Sequence, residues 1–219
     1  MMKLYGALAS PYVARVALVA RYKGLDLPLE MPAGGLKSPD YLAKNPFGKM
    51  PTLEHDGHCV IESQVICDYL DEVHPSPSVA PGDAVARARA RTVARAVDLY
   101  VSPEGSALFR QMNPAARDET AVAAAKDKLL DSLGKIDGLM SPAGPWATGE
   151  FSIADCTLLP YIVLMQKTIL PIFGIPDPTQ SLARMGAWWT RVGRDPLTSA
   201  FTAEYGAAVD DFLTRMRGG

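Results

Sequence analysis

Two serines of the chain stand where a helix is predicted to begin. Ser10 directly precedes Pro11, a residue favoured at the first helical position, and Ser63 follows Glu62 at the start of another apolar-periodic stretch. A serine there caps the helix, which is its commoner role, or directs its hydroxyl to an anion at the positive end of the helix dipole. The carboxylate of Glu62 can accept from an ammonium group. The two positions therefore predict either simple caps or contacts to a charged ligand.

A second group of candidate residues surrounds the entrance to a predicted strand. Met50-Pro51 opens the strand, Lys49 precedes it directly, and Lys37 lies in the loop upstream. Proline is tolerated at the first residue of an edge strand, where unpaired backbone groups can also bind an extended ligand. Exposed lysines are usually solvated, but either one can also neutralise a carboxylate.

The composition excludes several classes of function. Lys and Arg number 22 against 24 Asp and Glu, so no basic surface for nucleic acid or anionic lipid is predicted. No window reaches the ~18 apolar residues of a membrane span, and the start lacks a signal peptide's apolar core, so we expect a cytoplasmic location. Three widely spaced cysteines predict no disulfide framework, and three histidines without ligand spacing predict no metal site.

Residues 3 to 73 have the pattern of a mixed α/β domain. Strands are predicted over 3–7 and 26–30, with a helix from Pro11 to a stop at Gly24 and a helical turn over 40–43. A hairpin follows, because Asp-Gly at 56–57 joins two short apolar runs at 50–55 and 58–61. A helix capped by Ser63 comes next. The residues predicted to share one side of it are Val65, Ile66, Tyr69, Leu70 and Val73.

The second half of the sequence has a different pattern. Residues 74–83 are rich in proline and read as a linker. Alanine-rich helical patterns then run over 84–170, and further helices are predicted at 181–192 and 197–205. Breaks in the helical patterns are expected near Ser102-Pro103, Asn113-Pro114 and 141–145. The predicted fold class is therefore α/β plus all-α, a βαβ-α-ββα domain over 1–76 followed by a helical bundle over 84–219.

Four motifs in this order resemble the soluble glutathione transferase family, and the resemblance covers nearly the whole chain. They are ASPYVARV at 9–16, NPFGKMPTL at 45–53, IESQVICDYL at 61–70 and FSIAD at 151–155. The resemblance implies a thioredoxin-like first domain that binds glutathione as co-substrate, in a serine-type member of bacterial origin. Within FSIAD, Ser152 and Asp155 form a predicted capping box, a folding element rather than a catalytic one.

The resemblance also implies a role for each candidate residue. Ser10 would donate to the glutathione thiolate, whose thiol has a pKa of about 8.5 when free; lowering it by about two units needs roughly 2.7 kcal/mol. A cis Met50-Pro51 bond would present the Met50 backbone to the cysteinyl segment. Glu62 would accept from the γ-glutamyl ammonium. Ser63 would bind the γ-glutamyl carboxylate, and Lys49, with Lys37, the glycyl carboxylate.

The reaction stays open at this point. The helical domain would select a small hydrophobic electrophile with side chains near Tyr100, Leu108, Phe109 and Met112. Conjugation, isomerisation, dehalogenation and ether cleavage share the same activated thiolate, and a non-catalytic binding module is a further alternative. Some relatives carry cysteine at the position of Ser10, and its absence here disfavours mixed-disulfide chemistry. In a tyrosine-type site, Tyr5 or Tyr12 would activate the thiol instead.

The family further implies a homodimer. Arg87, Arg91 and Arg95 fall on one helical stripe, and they would pair across the dimer with acidic residues of the preceding helix. Those acidic residues are Asp68, Asp71 and Glu72.

Overall fold

Four short strands form one mixed sheet in the first part of the chain. The computed structural model describes residues 2–142 and 144–218. The strands are β1 (Met2–Tyr5), β2 (Leu29–Glu30), β3 (Thr52–His55) and β4 (His58–Ile61), arranged in the order β2-β1-β3-β4. β1 runs parallel to β2 and antiparallel to β3, and β3 and β4 form the hairpin. This is the predicted βαβ-α-ββα topology, and the predicted fold class is confirmed.

The two outer strands show how far local patterns predict structure. The hairpin turn is confirmed, because Asp56 and Gly57 both have positive φ, 48° and 83°, as a tight two-residue turn requires. The second strand is shorter than the predicted 26–30, since only Leu29–Glu30 pair with β1. Pro28 lacks the N–H that would continue the ladder on its N-terminal side.

Helices cover this sheet and complete the first part of the chain. They are α1 (Pro11–Tyr22), α2 (Pro39–Lys44) and α3 (Ser63–Val73). α1 is buried without interruption over residues 13–20, because α3 also packs against it. In α3, Ile66 and Leu70 are fully buried as predicted, but Val65 and Val73 are 52% and 40% exposed. The predicted apolar side of α3 is therefore wrong for those two valines.

The predicted linker at 74–83 is irregular, and a buried lysine fixes its start. The Lys23 side chain is fully buried, and its ammonium donates to Asp71 Oδ1 at 2.6 Å. It also donates to the carbonyl oxygens of His74 and Pro77, at 2.6 and 2.7 Å. All three ammonium hydrogens thus have acceptors. Asp71 belongs to this internal network, and its role as a dimer contact stays a prediction.

The second part of the chain is helical. After α4 (Ala84–Ala96) the chain passes through a π-helical segment, Val97–Val101, directly into α5 (Ser102–Arg110). The predicted break at Ser102-Pro103 is therefore wrong. The Ser102 N–H donates to the Val97 carbonyl five residues earlier, and this wider turn lets the helix continue into Pro103, which lacks an N–H.

Seven further helical segments follow in the part of the chain that the structure describes. They are a 3-10 turn (Pro114–Ala116), α6 (Glu119–Leu139), α7 (Ile153–Lys167), α8 (Ile169–Phe173), α9 (Pro178–Ser181), α10 (Ala183–Arg194) and α11 (Pro196–Gly218). The predicted interruptions at Asn113-Pro114 and 141–145 separate α5, α6 and α7. No helix in residues 2–142 and 144–218 has the length and apolar character needed to cross a bilayer.

The chain divides into two compact units. The first contains the residues up to Val79 together with those from Phe201 onward, and the second is Ala80–Ala200. The C-terminal part of α11 therefore belongs with the sheet. The assignment of 1–76 to glutathione binding and 84–219 to the electrophile pocket stays a prediction.

Candidate functional site

Three separate segments of the first unit meet at one end of the sheet. In the antiparallel register, Tyr5 at the end of β1 lies opposite Thr52 at the start of β3, and Thr52 lies opposite Ile61 at the end of β4. The chain therefore leaves β1, enters β3 and leaves β4 at the same place. These segments carry Ser10, Met50-Pro51 and Glu62-Ser63.

Ser10 occupies the N-cap position of α1 without using its side chain as a cap. Its carbonyl accepts the first helical hydrogen bond, from the Ala14 N–H at 2.9 Å, but its hydroxyl makes no capping bond. The residue is half-buried. The predicted position is thus confirmed, and the hydroxyl stays available beside the positive end of the α1 dipole.

Met50 joins the second segment to the turn that carries Ser10. Its sulfur Sδ accepts from the Ala7 N–H at 3.4 Å, and the Met50-Pro51 peptide bond is cis. A Cβ added at Gly6 would lie 3.3 Å from Met50 Cβ and 2.5 Å from a Val13 methyl, so only glycine allows this approach. The Met50 N–H and C=O pair with no other residue of the described chain, and they can pair with an extended ligand.

A polar network behind the strand entrance holds the backbone before Met50. The Lys49 carbonyl accepts from the Tyr41 hydroxyl at 2.6 Å and from Asn45 Nδ2 at 2.9 Å. Both groups also contact Thr52 Oγ1, at 2.9 and 3.0 Å. Burial raises the pKa of the Tyr41 hydroxyl, which keeps it a donor. The motif at 45–53 contains Asn45 but not Tyr41, and it did not reveal this supporting role.

Both candidate lysines lie near this segment with exposed side chains. Lys37 Nζ donates to the Phe47 carbonyl at 3.2 Å, so the ammonium reaches the stretch that leads to Lys49. Gly48 has φ 56°, and a Cβ there would lie 2.7 Å from the Leu36 carbonyl and 2.8 Å from Lys37 Nζ. The glycine is therefore what allows the Lys37 loop to approach.

The start of α3 differs from its prediction. Glu62, not Ser63, is the N-cap residue, and Ser63 is the first helical residue, so the predicted Ser63 cap is wrong. Glu62 has φ 68°, a conformation that costs a non-glycine residue energy and that recurs at active sites and ligand clamps. Its carboxylate is exposed and bonds to no other described residue.

Ser63 is held by a buried arginine that sequence reasoning missed. Arg15, on α1, is 1% exposed, and its Nη1 donates to Ser63 Oγ at 3.2 Å. Because the hydroxyl oxygen accepts from a cation, its own hydrogen is directed elsewhere and becomes a stronger donor. The signal that could have revealed Arg15 is a lone charge within the continuous apolar run of α1.

A tyrosine-type site is not supported by the position of Tyr5. Tyr5 is 5% exposed, and its hydroxyl donates to Glu54 Oε2 at 2.9 Å, where Lys44 Nζ also donates at 2.8 Å. The Lys44 ammonium, followed by the Tyr5 hydroxyl, lowers the pKa of Glu54. The Tyr5 hydroxyl is therefore already bonded to a carboxylate of the neighbouring strand β3.

The cysteines and the possible metal ligands were considered in the sequence analysis as well. Cys59, Cys67 and Cys156 are free thiols, and only Cys59 is exposed. Within residues 2–142 and 144–218, no cluster of three or more His, Cys, Asp or Glu side chains could hold a metal ion.

The predicted electrophile residues of the second unit differ in their surroundings. Leu108 is fully buried and belongs to the core, so its prediction as a pocket wall is wrong. Tyr100 is 59% exposed and lines a surface pocket of about 560 Å³ between the π-helical segment and α6. Phe109 and Met112 do not line this pocket.

Comparison with known proteins identifies a family that this chain resembles in sequence and in fold. The family model described as "Glutathione S-transferase, N-terminal domain" matches residues 4–78, which include all three segments of the site. The chain is 30% identical over 208 residues to glutathione S-transferase 3 of Zea mays, covering 89% of this chain and 90% of that protein. It is 31% identical over 175 residues to maleylacetoacetate isomerase of Pseudomonas aeruginosa, covering 76% and 82%. The Tau class glutathione S-transferase structure from mango, Mangifera indica, superposes with a TM-score of 0.81 at 27% identity and 97% coverage of both chains.

Proposed function

Because the chain belongs to the glutathione S-transferase family, we propose that it activates glutathione for attack on a small hydrophobic electrophile. The proposed site is the end of the sheet where the three segments meet. The observation that carries the proposal is the Ser10 hydroxyl, which lies at the N-terminus of α1 and is not used as a cap. A hydroxyl donor and a helix dipole both favour the charged form of a thiol placed before them.

The proposed mechanism is of the serine type. Ser10 is a hydrogen-bond donor, and the nucleophile is the sulfur of glutathione itself. A free thiol with a pKa of about 8.5 is only a few per cent ionised at neutral pH. Lowering that pKa by about two units makes the thiolate the main species, for roughly 2.7 kcal/mol of differential stabilisation.

The rest of glutathione is assigned to the neighbouring residues. Met50, set by the cis bond to Pro51, pairs with the cysteinyl segment through its two uncommitted backbone groups. Glu62 accepts from the γ-glutamyl ammonium, and Ser63 donates to the γ-glutamyl carboxylate with Arg15 behind it. Lys49 and Lys37 neutralise the glycyl carboxylate. This division gives residues 1–76 the glutathione and residues 84–219 the choice of electrophile.

An isomerase reaction on the same site is the second candidate. It is favoured by the similarity to maleylacetoacetate isomerase, whose name indicates isomerisation of its substrate. The same activated thiolate serves conjugation and glutathione-dependent isomerisation. Dehalogenation and ether cleavage stay open because they begin from the same thiolate. A binding module without turnover is disfavoured, because the Ser10 hydroxyl is not used as a cap.

The cellular setting is also part of the proposal. We propose a cytoplasmic homodimer that serves detoxification. Arg91 and Arg95 are exposed on α4 and can pair with acidic residues of a partner subunit, for which Glu72 is the exposed candidate on α3. Sedimentation equilibrium tests the dimer, and a monomer at micromolar concentration contradicts it.

Glutathione binding followed by turnover tests the proposed function. The purified protein should bind to immobilised glutathione, elute with free glutathione, and consume it when an electrophile is supplied. A panel that contains an aryl halide, an epoxide and a cis-dienoic acid separates conjugation from isomerisation, since only conjugation consumes glutathione. Failure to bind glutathione would contradict every member of this group of functions, whereas binding without any turnover would favour the non-catalytic module.

A further inference from the structure

The turn that carries Ser10 receives a contact from a residue far away in sequence. Tyr205, on the C-terminal part of α11, is fully buried, and its hydroxyl donates to the Ala9 carbonyl at 3.4 Å. Both residues belong to the first unit. Burial raises the pKa of the Tyr205 hydroxyl far above its ordinary value, so it keeps its proton and acts as a donor.

The contacted carbonyl belongs to the peptide unit directly before Ser10. The other polar group of that same unit is the Ser10 N–H, which donates to the Ala7 carbonyl at 3.0 Å. Because a peptide unit is planar, restraining both its C=O and its N–H fixes the plane from which the Ser10 Cα and side chain project. Ala7 is in turn held by Met50 Sδ, so the turn is restrained from two sides.

The helix that supplies Tyr205 is itself fixed to α1. Arg21 of α1 forms an ion pair with Glu204, with Nη2 2.6 Å from Oε1, and its guanidinium lies 5.4 Å from the centre of the Phe201 ring. The Phe201 and Tyr205 rings stack at 6.2 Å. Phe201 and Val209 are also fully buried, four residues before and after Tyr205. The hydroxyl therefore reaches Ala9 from a support anchored to the same helix that Ser10 begins.

We propose that Tyr205 is a positioning residue that orients Ser10 towards the glutathione sulfur through the Ala9–Ser10 peptide. This inference rests on the proposed function and adds to it a residue from the opposite end of the chain. Loss of the hydroxyl leaves Ser10 present, but its peptide plane is then restrained only through the Ser10 N–H bond to the Ala7 carbonyl. A displaced donor stabilises the thiolate less, while the more distant contacts to glutathione are unchanged.

The test is Tyr205→Phe, which keeps the ring and its stack on Phe201 and removes only the hydroxyl. Its matched control is Tyr161→Phe, which removes a buried hydroxyl bonded to Ser102 in the second unit. The measurement is the pH profile of kcat/KM with glutathione and a reactive aryl halide. For Tyr205→Phe we expect a midpoint shifted towards the pKa of free glutathione, and about a three- to tenfold loss of kcat/KM at neutral pH with KM for glutathione within about twofold. Tyr161→Phe should leave the midpoint unchanged.

Amide hydrogen exchange gives a second readout that does not depend on turnover. The Ser10 N–H should exchange faster in Tyr205→Phe than in the wild type, while the Ala14 N–H inside α1 should not. An unchanged pH midpoint together with unchanged exchange at Ser10 would overturn the positioning role. A wild-type protein without a lowered thiol pKa would instead refute the proposed function, and the exchange experiment would still decide whether Tyr205 restrains the turn.

Discussion

At the scale of single residues, two serines in similar sequence settings have different roles. Ser10 and Ser38 each precede a proline and each is the N-cap residue of a helix. Ser38 Oγ accepts from the Tyr41 N–H at 3.3 Å, whereas the Ser10 hydroxyl makes no such bond. A serine before a proline at a helix start is compatible with capping at both positions. Only the structure separates the serine that stabilises its helix from the one whose hydroxyl is available to a ligand.

This difference predicts opposite outcomes for two alanine variants. Ser38→Ala should lower the free energy of unfolding by about 1 kcal/mol, because it removes a working cap. Ser10→Ala should change it by less than about 0.5 kcal/mol, because no capping bond is lost. Urea denaturation followed by circular dichroism measures both. A loss for Ser10→Ala as large as that for Ser38→Ala would show that Ser10 is a structural cap.

Some of the other candidate residues belong to short sequence motifs, whereas others make contacts that are distant in the sequence. Glu62 and Met50 could be predicted as candidates because they belong to short motifs beside helix and strand ends, and their roles stay predictions. Arg15 was missed because its role depends on burial against α3, 48 residues later in the chain. Tyr205 was missed for the same reason, since its partner Ala9 is 196 residues away.

At the scale of single elements, the start of α7 is held by several hydrogen bonds. The predicted capping box is confirmed: the Ser152 side chain accepts from the backbone, and Asp155 Oδ2 accepts from the Ser152 N–H at 2.9 Å. Asp155 is 1% exposed, and its Oδ1 also accepts from the Ala147 N–H and from Trp188 Nε1. One carboxylate therefore joins the helix start, the preceding loop and α10.

Asp155→Ala should therefore cost more than an ordinary cap. It leaves several buried donors without an acceptor, and we expect a loss of about 3 kcal/mol or more in the free energy of unfolding. Asp118→Ala is the matched control, because Asp118 caps the exposed start of α6 and should cost about 1 kcal/mol. Equal losses in the two variants, measured by urea denaturation, would contradict the central role of Asp155.

The free energy of unfolding should also depend on pH through Asp155, with a defined sign. Burial raises the pKa of Asp155 from 3.8 to about 6, although its four hydrogen-bond donors oppose the rise. Between those values the folded state holds a proton that the unfolded state releases, so this group's contribution to stability falls as pH rises from about 4 to about 6. The stability difference between wild type and Asp155→Ala should shrink over that range. A difference that grows with pH would show that the donors lower the pKa instead.

Element boundaries were predictable where the signal was local. The Asp-Gly hairpin and the N-cap of α7 depend on a few adjacent residues, and both are confirmed. The continuation of the helix through Val97–Val101 into Pro103 was not predictable from proline propensity, because it depends on a change of backbone hydrogen-bond pattern. The exposure of Val65 and Val73 was not predictable from periodicity, which identifies a helix but not what covers it.

At the scale of the whole molecule, sheet register is what assembles the candidate site. Three segments separated by about 40 and 10 residues reach one place because β1, β3 and β4 are paired antiparallel, with Thr52 opposite both Tyr5 and Ile61. The sequence predicted each segment and their order. It could not supply the distances, because these follow from packing of the sheet against α1 and α3.

We expect this arrangement to stabilise the thiolate of bound glutathione, and the absorbance of that thiolate is the measurement that decides it. Wild-type protein and Ser10→Ala are each saturated with glutathione, and the ultraviolet absorbance of the thiolate is titrated against pH. The wild type should give a midpoint about two units below the free thiol's value of about 8.5, and Ser10→Ala should return it most of the way while still binding glutathione. A wild-type midpoint at the free value, or the same lowered midpoint in both proteins, would contradict the claim.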